Sequence, residues 1–298
     1  MANSISLVTK FLAILDELYK KESLTASLDA QTKPVEFGGA AAVNVFKVST
    51  VGLGTYSRAT GYAAGDVTGA WETLTLAASR GRAISIDRMD NEETLGMAFG
   101  TVADEFMRVN VAPEVDAYRF SKYASWSGVS EVGSPADLTT AAAMLAAFDV
   151  GMAQMDADEV PSEGRKLFIA TPKYHLLKAS ITRYLANENG VDRRVNNLDG
   201  VEVIPVPQSR FYKGITLDAG SSSSAGGFTK TSSTGRDINF MIVHPTAVLQ
   251  ATKHNNMKYF SPDDNQTADA HLLQYRLYHD AFVLENHVDG IYSHIKNS

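Results

Sequence analysis

The sequence predicts an α+β fold. Three observations point there. Short stretches alternate apolar and polar residues with the period of a half-buried strand. Other stretches repeat apolar residues every three or four positions behind recognisable helix starts. The two kinds are mixed along the chain without a regular βαβ repeat.

The 298 residues include 44% hydrophobic and 20% charged positions, enough to bury a sizeable core and too apolar for a disordered chain. The absence of Cys excludes a disulfide framework and a thiolate metal site. The longest apolar run, Ala141 to Phe148, is far short of a membrane span, and Phe11 to Leu15 is too short for a signal-peptide core. The expectation is a chain folded in the cytoplasm with its start intact. The net charge of −7 and the small basic groups (Arg80, Arg82, Arg88; Arg193-Arg194) argue against a protein that grips nucleic acid.

Residues 4 to 22 place Val8, Phe11, Leu12, Leu15, Leu18 and Tyr19 on one helical face. That face packs either on its own core or on a neighbouring chain. An extended stretch follows, through Gln31 to Pro34. Residues 43 to 51 alternate as a strand. A Gly-rich polar stretch comes next, then a run with Leu74 and Leu76 on one face and Trp71, Thr73 and Thr75 on the other, then a run with Ile84 and Ile86. Ser79-Arg80-Gly81-Arg82 reads as a turn or bulge between the last two. Together residues 43 to 88 make a long antiparallel ribbon, which cannot bury both faces alone. It folds onto its own domain or lies on another subunit.

Asp90-Asn91-Glu92-Glu93 marks a helix start, with a capping residue and acids at the positive end of the dipole. Leu95, Ala98, Phe99, Val102, Phe106 and Val109 continue at helical spacing. Pro113 kinks the run, and a second segment from Glu114 to about Ala124 completes one long bent rod. After a Gly, Ser and Pro loop, Asp137 caps an Ala-rich helix to about Met155. Leu167 to Ala170 is a short strand. Thr171-Pro172 opens a helix with Leu176, Leu177 and Ile181 as its apolar face. Val201 to Val206 is a strand near a sheet edge, given Pro205 and Pro207. Residues 219 to 235 form a Ser- and Gly-rich loop or hairpin tip. Ile238 to Val243 is a buried strand, and Gln274 to Leu284 and Val288 to Ile295 are the last two.

No phosphate loop, dinucleotide fingerprint, zinc-protease motif or nucleophile elbow is present. No catalytic, cofactor-binding or metal residues are assigned. His271, His279, His287 and His294 are too widely spread along strands to share a metal unless the chain turns back. Asp87, Asp90, Glu92 and Glu93 lie near Arg80, Arg82 and Arg88 in sequence. They read as a solvated helix start, a carboxylate pair, or an inter-subunit charge patch that sets register.

Four stretches carry a resemblance. They are Leu15 to Lys20 with Leu24-Thr25-Ala26; Tyr56-Ser57-Arg58 through Gly65-Asp66-Val67-Thr68, Trp71-Glu72-Thr73 and Arg80-Gly81-Arg82 to Thr94; Phe240 to Pro245 through Lys253-His254; and Phe260-Ser261-Pro262 with Gln274-Tyr275-Arg276 and Tyr278-His279-Asp280. In these the chain resembles the major capsid proteins of tailed bacteriophages with the Hong Kong 97-type fold, nearly end to end. The resemblance implies an N-terminal arm (1–42), an extended β-hairpin loop (43–90), a peripheral domain with a long spine helix (91–132), an axial domain (133–245) and a return to the peripheral domain (246–298). It implies self-assembly into hexamers and pentamers of an icosahedral shell around double-stranded DNA, not an enzyme. The location is the virion, assembled in the host cytoplasm. Scaffolding, portal and decoration proteins are the implied partners, together with packaged DNA held without sequence-specific binding, and no membrane. Trp71, Arg80, Arg82, Glu92 and Glu93 are the inter-subunit candidates. Some members of the family weld subunits through a Lys in the extended loop. No Lys occurs between Lys47 and Lys122 here, so no such bond is expected. Because Met1 stands almost at the arm, the expected scaffolding function lies on a separate protein. An encapsulin-like nanocompartment is the runner-up, and a soluble hydrolase or a tail protein is a more distant alternative.

Overall fold

Side-chain alternation and helix spacing explain most of the architecture seen in the computed structural model, which describes residues 23–29, 42–89, 97–131, 137–180, 194–221 and 224–296. The expected helix over 4–22, the helix start at 90–93 and Ile181 lie outside the described residues.

The rod is continuous. Helix α2 (Met97–Phe106) passes through a π-helical stretch, Met107–Val111, into helix α3 (Ala112–Ser125). The short helix α1 (Ala26–Asp29) precedes it in the chain. Pro113 has no N–H to donate to residue 109, and its ring crowds that carbonyl. The wider π turn, in which the Ala112 N–H bonds the Met107 carbonyl, accommodates the proline without breaking the rod. The apolar stripe differs from the expected one. Ala103, Met107, Val111 and Val115 are buried, whereas Val102 and Val109 are exposed. Packing selected the neighbouring face of the helix.

That stripe lies on a three-stranded antiparallel sheet, in the order β12 (Val248–Phe260), β13 (Ala270–Val283), β3 (Ala78–Asp87). Met257, Leu273, Tyr275, Leu277 and Ile84 meet the rod. The expected 43–88 ribbon therefore ends early. Strands β1 (Ala42–Thr50) and β2 (Val67–Thr75) pair alone, from Ala42 opposite Thr75 to Thr50 opposite Val67. β3 leaves them for β13. Arg80-Gly81-Arg82 is interior to β3 and is not a turn. Gly81 is there because the strands approach closely, and a Cβ would sit 3.0 Å from the Tyr275 carbonyl oxygen. β12 escaped the sequence reading. Polar residues dominate its second half, and a register shift between Thr252 and His254 spoils the alternation.

The second sheet has seven strands. Its path runs β4 (Ser130–Glu131), β14 (Ile291–Ile295), β11 (Arg236–Val243), β5 (Lys166–Ala170), β7 (Val201–Val206), β6 (Asn197–Leu198), and β8 (Tyr212–Lys213) also pairs with β11. Helix α4 (Ala141–Ala157) and helix α5 (Thr171–Ser180) cover one face. Leu167, Ile169, Phe240 and Ile242 point that way. Phe168, Ala170, Met241 and Val243 point to the other face and meet Phe120 and Tyr123 of α3. Burial on both faces accounts for the unbroken apolar runs of β5 and β11. β5 and β7 are parallel, joined through α5. Val288 and its neighbours form a 3-10 turn (Glu285–Gly290), so the last strand starts later than expected.

One expected cap is corrected. Thr140, not Asp137, caps α4 by accepting the Ala143 N–H at 3.2 Å. Asp137 pairs with Lys173 at 2.5 Å instead. Thr171 donates its hydroxyl to the Val206 carbonyl at 3.0 Å, tying α5 to β7. β9 (Ile215–Asp218) and β10 (Gly227–Lys230) pair from Asp218 opposite Gly227, so part of the expected 219–235 loop is strand.

Candidate assembly surfaces

The β1–β2 hairpin shows one bare face. Phe46 and Trp71 are cross-strand partners with ring centroids 5.0 Å apart. The Phe46 ring lies over Gly69, where a Cβ would stand 2.7 Å from its ring tip. Trp71 is 69% exposed and Leu53 fully so, and Tyr56 and Tyr62 stack in the connecting loop at 5.0 Å. Among the described residues, twelve large apolar side chains are strongly exposed, and eight of them lie between Phe46 and Trp71. Scattered exposed apolar residues are ordinary, but a contiguous patch marks a contact surface.

The base of the hairpin is held firmly. Val43, Leu74 and Leu76 are buried against Leu249, Ala251 and Phe282. Asp280 of β13, itself buried, accepts the Ala77 N–H at 2.7 Å, the Tyr118 hydroxyl at 3.0 Å and the Ala281 N–H at 2.8 Å. A buried carboxylate is tolerable because these donors replace water. Burial and the adjacent Asp280 charge push the Tyr118 hydroxyl pKa far up, so it stays a donor. Farther out, Lys47 bridges Glu72 at 2.8 Å and Glu285. Beyond that pair the hairpin has little support of its own.

A second buried carboxylate holds Ser23–Thr25 against the rod. Asp116 of α3 accepts Ser23 Oγ at 2.8 Å, the Leu24 N–H at 3.0 Å, and the Thr25 N–H and hydroxyl at 3.2 and 2.8 Å. Arg210 approaches it at 3.4 Å. Arg119 donates to Thr25 Oγ1 at 2.9 Å, and Gln250 reaches the Thr25 carbonyl at 3.3 Å. Leu28 is buried in the core beside this network. Sequence reasoning passed over both carboxylates. A signal existed: Asp116 sits four residues from Ala112 and from Phe120, in the middle of a buried helical stripe.

The sequence candidates fall in different places. Trp71 is on the bare face. Arg80 is engaged inside the subunit: Nε and Nη2 grip both oxygens of Glu114 at 2.5 and 3.0 Å, and Nη1 and Nη2 donate to the Asp218 and Gly227 carbonyls at 2.7 and 3.2 Å. It clasps the β9–β10 hairpin to the rod. Arg82 is exposed, with Nη1 over Gly220 at the tip of that hairpin. Glu92 and Glu93 lie outside the described residues.

The four histidines serve separate local contacts. His271 stacks on Tyr259 and bonds its hydroxyl at 2.7 Å, and His294 bonds Asn239 at 3.0 Å. His287 sits in the 3-10 turn, and His279 is buried edge-on to Tyr118. Burial, then the Arg119 and Arg80 charges, lowers the His279 pKa to about 3, and burial also lowers those of His244 and His294. Each of these groups binds protons in the unfolded chain before it does so in the folded one. Stability is therefore complete above about pH 6.5 and falls as the pH drops from there toward the folded pKa. For His279 the loss reaches about 2 kcal/mol by pH 5. Urea midpoints of the subunit should fall between pH 7 and 5, less steeply in His279→Gln. A flat midpoint across that range would contradict this.

No known family's sequence model matches the chain, and no curated protein does. Solved structures do resemble it. The capsid structure of the cyanophage P-SCSP1u aligns at 14% identity over 90% of this chain and 86% of its own, with a TM-score of 0.61. A Gordonia phage Cozz chain aligns at 12% identity over 91% and 86%, with a TM-score of 0.59. The virus-like particle from Pyrococcus furiosus aligns at 11% identity over 96% and 98%, with a TM-score of 0.54. What is shared at such identities is the architecture: this chain has the Hong Kong 97-type capsid fold.

Proposed function

We propose that this chain is the major capsid protein of a tailed bacteriophage, a structural protein without catalytic activity. Many copies would close into an icosahedral shell around double-stranded DNA. The observation that carries the reading is the bare apolar face of the β1–β2 hairpin, anchored at its base and uncovered beyond it. A sister copy is the natural cover, since one surface repeated on every subunit closes a shell by symmetry. Each contact need contribute only modestly, because every subunit makes several.

In this reading the projecting loop expected over 43–90 is the hairpin from Ala42 to Thr75. The rod, with the three-stranded sheet, forms the peripheral domain from segments 91–132 and 246–298 together with β3 of segment 43–90. The seven-stranded sheet with α4 and α5 forms the axial domain within 133–245, completed by β4 and β14. The arm root at Ser23–Thr25 belongs to segment 1–42. The proposed setting is the virion, assembled in the host cytoplasm with scaffolding, portal and decoration proteins, and with DNA held without sequence-specific contacts.

An encapsulin-like compartment is the second reading, supported by the nearly complete mutual coverage with the Pyrococcus furiosus particle. Negative-stain microscopy of the protein expressed with its neighbouring genes tests the proposal. Closed shells support it, and filled DNA heads separate phage from compartment. A small oligomer at every concentration overturns both readings. Within the same assay, Arg82→Glu should reduce shell yield while leaving the subunit's thermal midpoint unchanged. Normal yield would remove Arg82 from the contact.

A further inference from the structure

Acids outnumber bases in this chain, 34 to 27. A base should therefore find an acid easily, and at least thirteen lysines and arginines among the described residues lie within ion-pair distance of a carboxylate. The face of the three-stranded sheet turned away from the rod breaks this pattern. Lys258 and Arg276 stand there on adjacent strands with His254 beside them, all exposed. Arg276 is opposite Asn256, one same-face step from Lys258 opposite Gln274. None of the three has an acid or hydrogen-bond partner among the described residues. Like charges at that spacing repel, so the arrangement costs stability in the lone subunit. They flank a trough of about 490 Å³ floored along β3 by Gly81 and Ala83.

The opposite charge is displayed at the end of the same sheet. The turn from Ser261 to Asp269, joining β12 to β13, holds three aspartates and no base. Asp263, Asp264 and Asp269 are exposed. Arg88, at the end of β3, lies 3.3 Å from Asp263 and 3.5 Å from Asp269, leaving the turn net acidic. Within one chain the turn pairs with Arg88 and not with the trough. Strand direction forces this, because the turn extends along the strands whereas Lys258 and Arg276 project from their face.

We infer that the cationic trough is a contact between copies, receiving the acidic β12–β13 turn of a second subunit head to tail. Such a heterologous contact uses two different patches on each chain and closes into a ring when the rotation allows. Burying the complementary patches together removes the like-charge repulsion on both sides and fixes register. The inference rests on the assembly reading above and supplies a specific contact for it. It also makes this contact sensitive to salt, unlike the apolar one on the hairpin.

The test uses the full chain in the shell-forming assay. Lys258→Glu with Arg276→Glu, and separately Asp263→Lys with Asp264→Lys, should each cut shell yield at least tenfold, the first with an unchanged thermal midpoint and the second with one lowered only slightly by loss of the exposed Arg88–Asp263 pair. The chain carrying all four substitutions should recover much of the yield, because the four exchanged charges are again opposite in sign across the contact. Parental yield from either pair, or no recovery in the four-fold variant, overturns the inference while leaving a shell-forming parent intact. A parent that forms no shell at all overturns the assembly reading and this contact with it.

Discussion

Replacing Phe46 and Trp71 together with alanine is expected to abolish shell formation at concentrations where the parent assembles fully. Both rings are more than half exposed in the subunit, so their loss should change its stability by no more than about 0.5 kcal/mol. Burying such side chains at a contact contributes roughly 2 kcal/mol each. Two of them make about 4 kcal/mol per subunit, which corresponds to a roughly thousand-fold rise in the concentration needed to assemble. Light scattering against protein concentration reads this directly, and calorimetry on the subunit supplies the control. A variant that assembles at the parental threshold would show that the aromatic pair is not covered in the shell. A variant with a depressed thermal midpoint would show that the pair packs within the subunit.

Asp116→Ala should have the largest effect on the subunit itself. The substitution leaves buried donors from Ser23 and Thr25 without an acceptor and leaves Arg210 without its carboxylate. Removing one member of a buried charged network typically costs about 3–5 kcal/mol. Asp116→Asn, which keeps an acceptor oxygen, should cost less. The loss ought to be concentrated at the root of the arm. Hydrogen exchange at the Leu24 and Thr25 amides should accelerate far more than exchange in β11. Uniform acceleration across both sheets would mean that Asp116 supports the core as a whole and not the arm in particular.

The two buried carboxylates give the molecule its functional logic. Asp116 fixes Ser23–Thr25 against the rod, and Asp280 fixes the base of the β1–β2 hairpin. Both positions meet the core of rod and three-stranded sheet, so the hairpin and Ser23–Thr25 start from defined points. Precise origins matter when a contact must recur identically around a closed surface. The Arg80 clasp does the same for the β9–β10 hairpin, whose carbonyls it holds against the rod.

How much of this was legible in the sequence depends on the range of the interaction. Strands β1, β2, β5, β7 and β11 follow from local alternation or from short apolar runs. The rod follows from helical spacing, with Pro113 marking its irregular turn. Leu74 and Leu76 against Trp71 and Thr73 showed correctly which hairpin face is inward. Other features depend on partners far along the chain. β3 pairs with β13 across nearly 200 residues, and nothing in Ala78–Asp87 specifies that choice over β2. Glu114 and the carbonyls of Asp218 and Gly227 engage Arg80 from well downstream, so a motif-based reading sees only an exposed basic cluster. β12 was hidden because one of its faces is polar, and that face carries Lys258. The stripe of the rod shifted by one position because Ala103 and Met107 fit the sheet better than Val102.

The account depends on Trp71 exchanging water for a sister subunit on assembly. Trp71 and Trp126 are the two tryptophans, so Trp126→Phe leaves Trp71 as the sole reporter. Acrylamide quenching of its fluorescence, measured on dissociated subunits and on closed shells of this variant, gives the most direct answer. The account predicts ready quenching and red-shifted emission in the subunit, with protection and a blue shift in the shell. Equal accessibility in the two states, or protection already present in the subunit, would contradict it.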